Sequence, residues 1–182
     1  MVAITVVISG CSGDDTDGLP GDTTTQESPP IETTTTALPQ LERHDAGFAL
    51  PVTLVAGDVR FDLTTVEFSN ATPGTYFDDE PDLLEDDLLY VAFTVQVDPA
   101  AGAGVAHEWP AKNFQIVTGS GRVVSGSAVD YAASISATSG EPTPAAVVFP
   151  VDEREMAGAR FRLDDGTNPP VEVTLTAPAA AG

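Results

Sequence analysis

The chain has 182 residues, 42% hydrophobic and 7% aromatic, with a single cysteine and 28 acidic against seven basic residues, a formal charge of −21. One cysteine excludes an internal disulfide, so any folded part is held by its apolar core alone. The charge repels phosphate backbones and anionic headgroups, which excludes nucleic acid as a partner.

In chain order, the first feature is the short apolar run Val2–Ile8, followed by Ser9, Gly10 and Cys11. A bilayer span takes roughly 20 apolar residues, and the polar Ser12-Gly13-Asp14-Asp15 beyond Cys11 stops the run from lengthening. An apolar stretch, two small residues and a cysteine resembles the lipobox of bacterial lipoproteins. That resemblance implies that residues 1–10 are a signal segment removed on export. It further implies that the Cys11 thiol receives a diacylglycerol and that this lipid holds the chain at the outer face of the cell membrane. No Lys or Arg lies between Met1 and Cys11. Signal segments open with a positive stretch, so further residues are expected upstream.

Residues 11–47 are read as the lipidated cysteine and a linker. Thr23–Thr25, Thr33–Thr36, Pro20, Pro29, Pro30 and Pro39 fall here, and no aromatic residue precedes Phe48. Such a composition buries too little apolar surface to offset the entropy of ordering. It would reach about 35 Å as a flexible coil and approach ~100 Å in a polyproline-like form. The threonine clusters are suited to O-linked sugars.

Residues 48–178 differ in kind. β-Branched and aromatic residues gather into short runs separated by Gly, Pro, Asn and Asp, the pattern of strands and turns. The runs are 51–55, 59–68, 88–97, 114–118, 122–125, 127–132, 145–151, 159–163 and 171–176. In the strongest, Val91, Phe93, Val95 and Val97 share one face and Tyr90, Ala92, Thr94 and Gln96 the other. No window keeps a helical period; residues 82–87 and 151–156 are the nearest, a turn or two each. The prediction is an all-β domain, an antiparallel sandwich with one core.

Three stretches carry a more specific resemblance: Leu89–Val97; Phe114–Val117 followed by Gly119-Ser120-Gly121; and Ser139-Gly140-Glu141 with Val147–Val151 and Phe161–Leu163. Together they resemble the immunoglobulin-like domain of unknown function found in many bacterial lipoproteins, a family related to a secreted mycobacterial immunoprotective antigen. The resemblance implies an immunoglobulin-like sandwich and supplies no catalytic residues. Asp98-Pro99 departs from the Asn-Thr common in that family, and the loop 100–106 is longer.

Among candidate sites, the densest holds seven carboxylates in the ten residues 78–87. Calcium takes six to eight oxygen ligands, and Asp78, Asp79, Glu80 and Asp82 are the candidate ligands. The spacing matches no EF-hand loop, and the same residues read more simply as an acidic solvated loop between two strands. Asp164, Asp165, Gly166 and Asn168 read as turn residues. Arg160 and Arg162 share one strand face, where they would clamp an anion or pair with neighbouring carboxylates. Trp109 and Phe114 are candidates for a contact patch, or for capping the end of the sandwich. His44 falls in the linker and His107 in a loop beside Glu108. No Gly-x-Ser-x-Gly elbow frames a serine and no His/Cys cluster offers a zinc site. The reading is a non-enzymatic extracellular lipoprotein that binds a protein or envelope partner or serves structurally, with calcium as the only cofactor considered.

Overall fold

The computed structural model describes residues 40–102, 104–129 and 133–177. The expected signal segment, Cys11 and the linker up to residue 39 lie outside the described residues, as do residues 130–132 of the run 127–132.

The described residues form twelve strands, most of them built on alternating apolar residues: β1 (Arg43–Asp45), β2 (Val52–Ala56), β3 (Val59–Ala71), β4 (Leu83–Val97), β5 (Ala106–Pro110), β6 (Phe114–Val117), β7 (Val123–Ser125), β8 (Ser127–Ala128), β9 (Ser134–Thr138), β10 (Thr143–Phe149), β11 (Arg160–Leu163) and β12 (Val171–Thr174). Every pairing is antiparallel. The larger sheet runs β3-β4-β10-β8, and the far edge of β3 is shared by β2 over its first half and β1 over its second. The smaller sheet runs β12-β11-β6-β7, and β5 and β9 form a separate ribbon. This is the expected all-β antiparallel sandwich.

The two sheets meet through aromatic side chains. Phe61 on β3, Phe93 on β4 and Phe149 on β10 face Phe114 on β6 and Phe161 on β11, and all are buried. Phe61 stands edge-on to Phe93, Trp109 and Phe114, with ring centroids 5.9, 5.4 and 5.5 Å apart. Each such pair adds about 0.5–1.5 kcal/mol beyond the burial of area. Trp109 fastens the ribbon to the sandwich through the same ring.

The larger sheet is also covered on its outer face. The segment between β3 and β4 folds back over it, and Tyr76 stacks on Tyr90 at 3.8 Å. The Arg43 guanidinium lies 4.2 Å above the Tyr76 ring and donates to the Tyr76 carbonyl oxygen. The Tyr76 hydroxyl donates to Glu67 and the Tyr90 hydroxyl to the Ala71 carbonyl. Burial pushes the Tyr90 phenol up to about 12, with Arg43 pulling down and Glu67 pushing up. Burial raises Glu67 as well, against the pull of Arg43.

Several expectations require correction. Residues 43–45 belong to the fold and not to the linker: His44 stacks on Phe68 at 5.5 Å, and the buried Asn70 side chain accepts from Glu42 N and donates to Gln40 O. These are pairings with β3, which a segment lacking apolar alternation cannot announce. Residues 83–87 join β4 instead of forming a helical turn. Leu83 pairs with Ala71, and Leu84–Asp87 bulge outward opposite Asn70. Asp82 would oppose Glu85 and Asp86 at helical spacing, so repulsion disfavours the turn. Residues 106–110 form β5 and not a loop, paired with the unanticipated β9. The other helical candidate survives as a 3₁₀ turn at Glu153–Glu155.

Two predictions follow from this packing. Phe61→Ala empties the junction of the sheets and lowers the unfolding free energy by about 3–5 kcal/mol, read by denaturant titration. Glu67 ionises in the ordinary carboxylate range when unfolded and at higher pH when folded, so its ionisation opposes folding above that range and has no effect below it. Glu67→Gln, which still accepts from Tyr76, therefore raises the melting midpoint at pH 7, and the gain vanishes below about pH 4.

Candidate functional site

The outer face of the larger sheet carries small side chains where β4 and β10 run together. Ala92 pairs with Ala146 and Thr94 with Pro144, all pointing away from the aromatic core. Because these side chains are short, the sheet surface lies low there. Higher elements surround it: Ser134–Ser136 of β9 along one side, Val129 beyond, and Phe77. The result is a mainly apolar groove of about 630 Å³.

Phe77 is the unusual member. Its neighbour Tyr76 is buried in the stack on Tyr90, and the chain direction then turns Phe77 outward, leaving it 75% exposed. Its ring stands edge-on to Tyr76 at 4.9 Å, which props it in place. Asp78, Asp79 and Glu80 follow immediately, all exposed. No Lys or Arg lines the groove. An aromatic wall beside a flat alanine floor suits the binding of an apolar group.

A second depression, of about 720 Å³, lies between the β4 bulge and the turn at 150–155. Glu85, Asp86 and Asp87 line one wall and Asp152, Glu153 and Glu155 the other. Hydrogen bonds from Arg154 hold Asp152 well below the usual carboxylate range, and Arg122 does the same, less strongly, for Glu155. His44 Nε2 sits 3.4 Å from Glu153.

A third, of about 410 Å³, lies at one end of the sandwich beside Asp58, His107, Trp109 and Asp165. His107 stacks on Trp109, and Ser139 Oγ is 3.4 Å from His107 Nε2. Among the described residues no carboxylate bonds His107. Asp165 is taken up by the backbone and side-chain N–H groups of Asn168 and by Thr167 N, which lower its pKa. The serine and histidine here lack, among the described residues, the acid that orients the imidazole in a Ser-His-Asp triad.

The structure separates the residues singled out from the sequence. Asp78, Asp79, Glu80 and Asp82 are all exposed, and among the described residues no three His, Cys, Asp or Glu side chains are grouped so as to hold a metal ion. Phe114 is fully buried, because it shares the inward face of β6 with Ile116, so it is core and not contact surface. Trp109 is half-buried, edge-on to Phe61 and open to the end depression. Arg160 pairs with Glu172 at 3.3 Å and Arg162 with Asp164 at 2.6 Å, the carboxylate pairing of the two alternatives. Sequence reasoning missed Phe77. Its signal is two adjacent aromatics followed at once by acids in a segment between strands: neighbours there cannot both point inward.

The contrast between these neighbours is testable. Tyr76→Ala costs about 3 kcal/mol of stability, since it removes the stack, whereas Phe77→Ser changes it by no more than about 1 kcal/mol. Thermal melts of the two variants separate the structural ring from the displayed one.

No family model matches the chain, and no curated protein or solved structure matches it.

Proposed function

We propose that this chain is a lipoprotein of the cell envelope, anchored at the outer face of the membrane through a lipid on Cys11, whose domain acts by binding a partner and not by turnover. The observation that carries the reading is Phe77, an aromatic edge-on to Tyr76 and left 75% exposed at the wall of an apolar groove. Exposed aromatics on preorganised supports are the residues that anchor protein contacts. The run Val6–Cys11 supports the anchor, and the Thr- and Pro-rich stretch after it supports a spacer between membrane and domain.

The strand order supports an immunoglobulin-like reading of the sandwich. With β3, β4, β10 and β8 taken as strands A, B, E and D, and β12, β11, β6 and β7 as G, F, C and C′, the two sheets follow the order of that fold. The strands β1 and β2 and the β5–β9 ribbon are then additions to it. Such a sandwich is a scaffold for recognition, and its function resides in the surfaces grafted onto it.

The test has two arms in a lipoprotein-processing bacterium. The full chain partitions with membranes, and Cys11→Ala moves it to the soluble fraction; unchanged partition rejects the anchor. A photo-crosslinking amino acid at position 77 yields a discrete adduct in the intact envelope, while the same probe at the exposed position 123 on the opposite sheet does not. Equal labelling from both positions, or none from either, rejects the binding surface.

A further inference from the structure

The groove beside Phe77 also indicates what kind of partner it takes, an inference that rests on the domain being a binding module. Its long side is β9, which pairs only with β5. The opposite edge of β9, at Ser134–Ser136, lines the groove and has no strand partner among the described residues. Across the floor, β10 pairs with β8 through Val147 and Val148, and among the described residues the stretch Thr143–Ala146 has no strand partner on that side. Pro144 lacks an N–H and makes the β10 edge the poorer template of the two. An open strand edge presents alternating N–H and C=O groups, and an extended segment satisfies them by adding as one more strand.

The side-chain requirements follow from the floor and the rim. Alternate residues of an added strand point to one face. Those facing the sheet would rest on Ala92 and Ala146, where small side chains leave room for aliphatic ones, and would meet Phe77 laterally. Three exposed carboxylates, Asp78, Asp79 and Glu80, directly follow Phe77 in the chain and are taken as the acidic rim, and no Lys or Arg lines the groove. The nearest arginine on that segment, Arg43, is already committed to Tyr76. From Phe48 onward the chain has 20 acids against six bases, so the field of the whole domain has the same sign. An acidic segment is repelled from this rim, and a basic one is drawn to it.

We infer that the groove takes an extended basic segment of a partner protein, laid along the free edge of β9 with its aliphatic side chains on the alanine floor against Phe77 and its Lys or Arg side chains at Asp78, Asp79 and Glu80. Main-chain bonds supply register, the floor selects aliphatic residues, and the rim selects charge. Salt weakens the binding, because the three carboxylates are exposed.

The test uses the full chain and labelled octapeptides followed by fluorescence anisotropy. One alternates lysine and valine, a second glutamate and valine, a third lysine and serine. The lysine–valine peptide binds, the glutamate–valine peptide does not, and the lysine–serine peptide binds at least tenfold more weakly. Phe77→Ser weakens lysine–valine binding at least tenfold while its thermal melt shows an intact fold. Asp78→Asn with Asp79→Asn and Glu80→Gln weakens it at low salt and flattens its salt dependence. Undiminished binding by Phe77→Ser overturns the inference and assigns the attraction to the general negative field. Equal binding of the glutamate–valine peptide, or no binding of any peptide, overturns it as well. A position-77 adduct that persists in those cases leaves the binding-module reading standing; its loss removes both.

Discussion

The ring of Phe61 is the point on which the two sheets depend. With no disulfide available, the sandwich is joined only by what its inward faces bury, and Phe61 is where β3, β4, β5 and β6 meet in one set of edge-to-face contacts. Edge-to-face packing fixes orientation as well as proximity, since the positive ring edge seeks the negative face. The small sheet is thereby set against the large one, and Trp109 brings the β5–β9 ribbon to the side of the sandwich. The wall of the groove is built by that ribbon, so the groove on the outer face rests on a junction in the core.

On that outer face a second, smaller construction does related work. Tyr76 lies between Tyr90 and Arg43, and Arg43 is carried by β1, the first of the described strands. Asn70 holds Gln40 and Glu42 through its side-chain amide. The place where the chain enters the domain, the cover over the sheet and the displayed Phe77 are therefore consecutive members of one packed set.

Much of the fold was legible because burial leaves a period in the sequence. Phe61 and Leu63, then Val91, Phe93, Val95 and Val97, alternate cleanly and lie inward as read. The ribbon was less legible. β9 alternates Ile135 and Ala137 inward with serines outward, but its small side chains carry little β-propensity. β1 gave no signal at all, for its stability comes from backbone pairing with β3 and from the stacking of His44 on Phe68. The acidic run misled in a different way. Its first half is an exposed segment after Phe77 and its second half bulges from β4, a division that depends on where β3 offers a partner and not on the carboxylates themselves.

Composition and periodicity alone determined an acidic all-β sandwich without a disulfide, since single-strand alternation and residue counts are local properties that any fold of this chain must respect. Composition also set off a Thr- and Pro-rich stretch of low apolar content before Phe48. Tertiary structure decided which aromatics are core and which are displayed. Phe114 was a candidate for contact and is buried; Phe77 drew no notice and stands in solvent. Neither outcome is written in the neighbouring residues, because whether a side chain is covered depends on which distant strand lies above it, and that is set only when the two sheets close on Phe61.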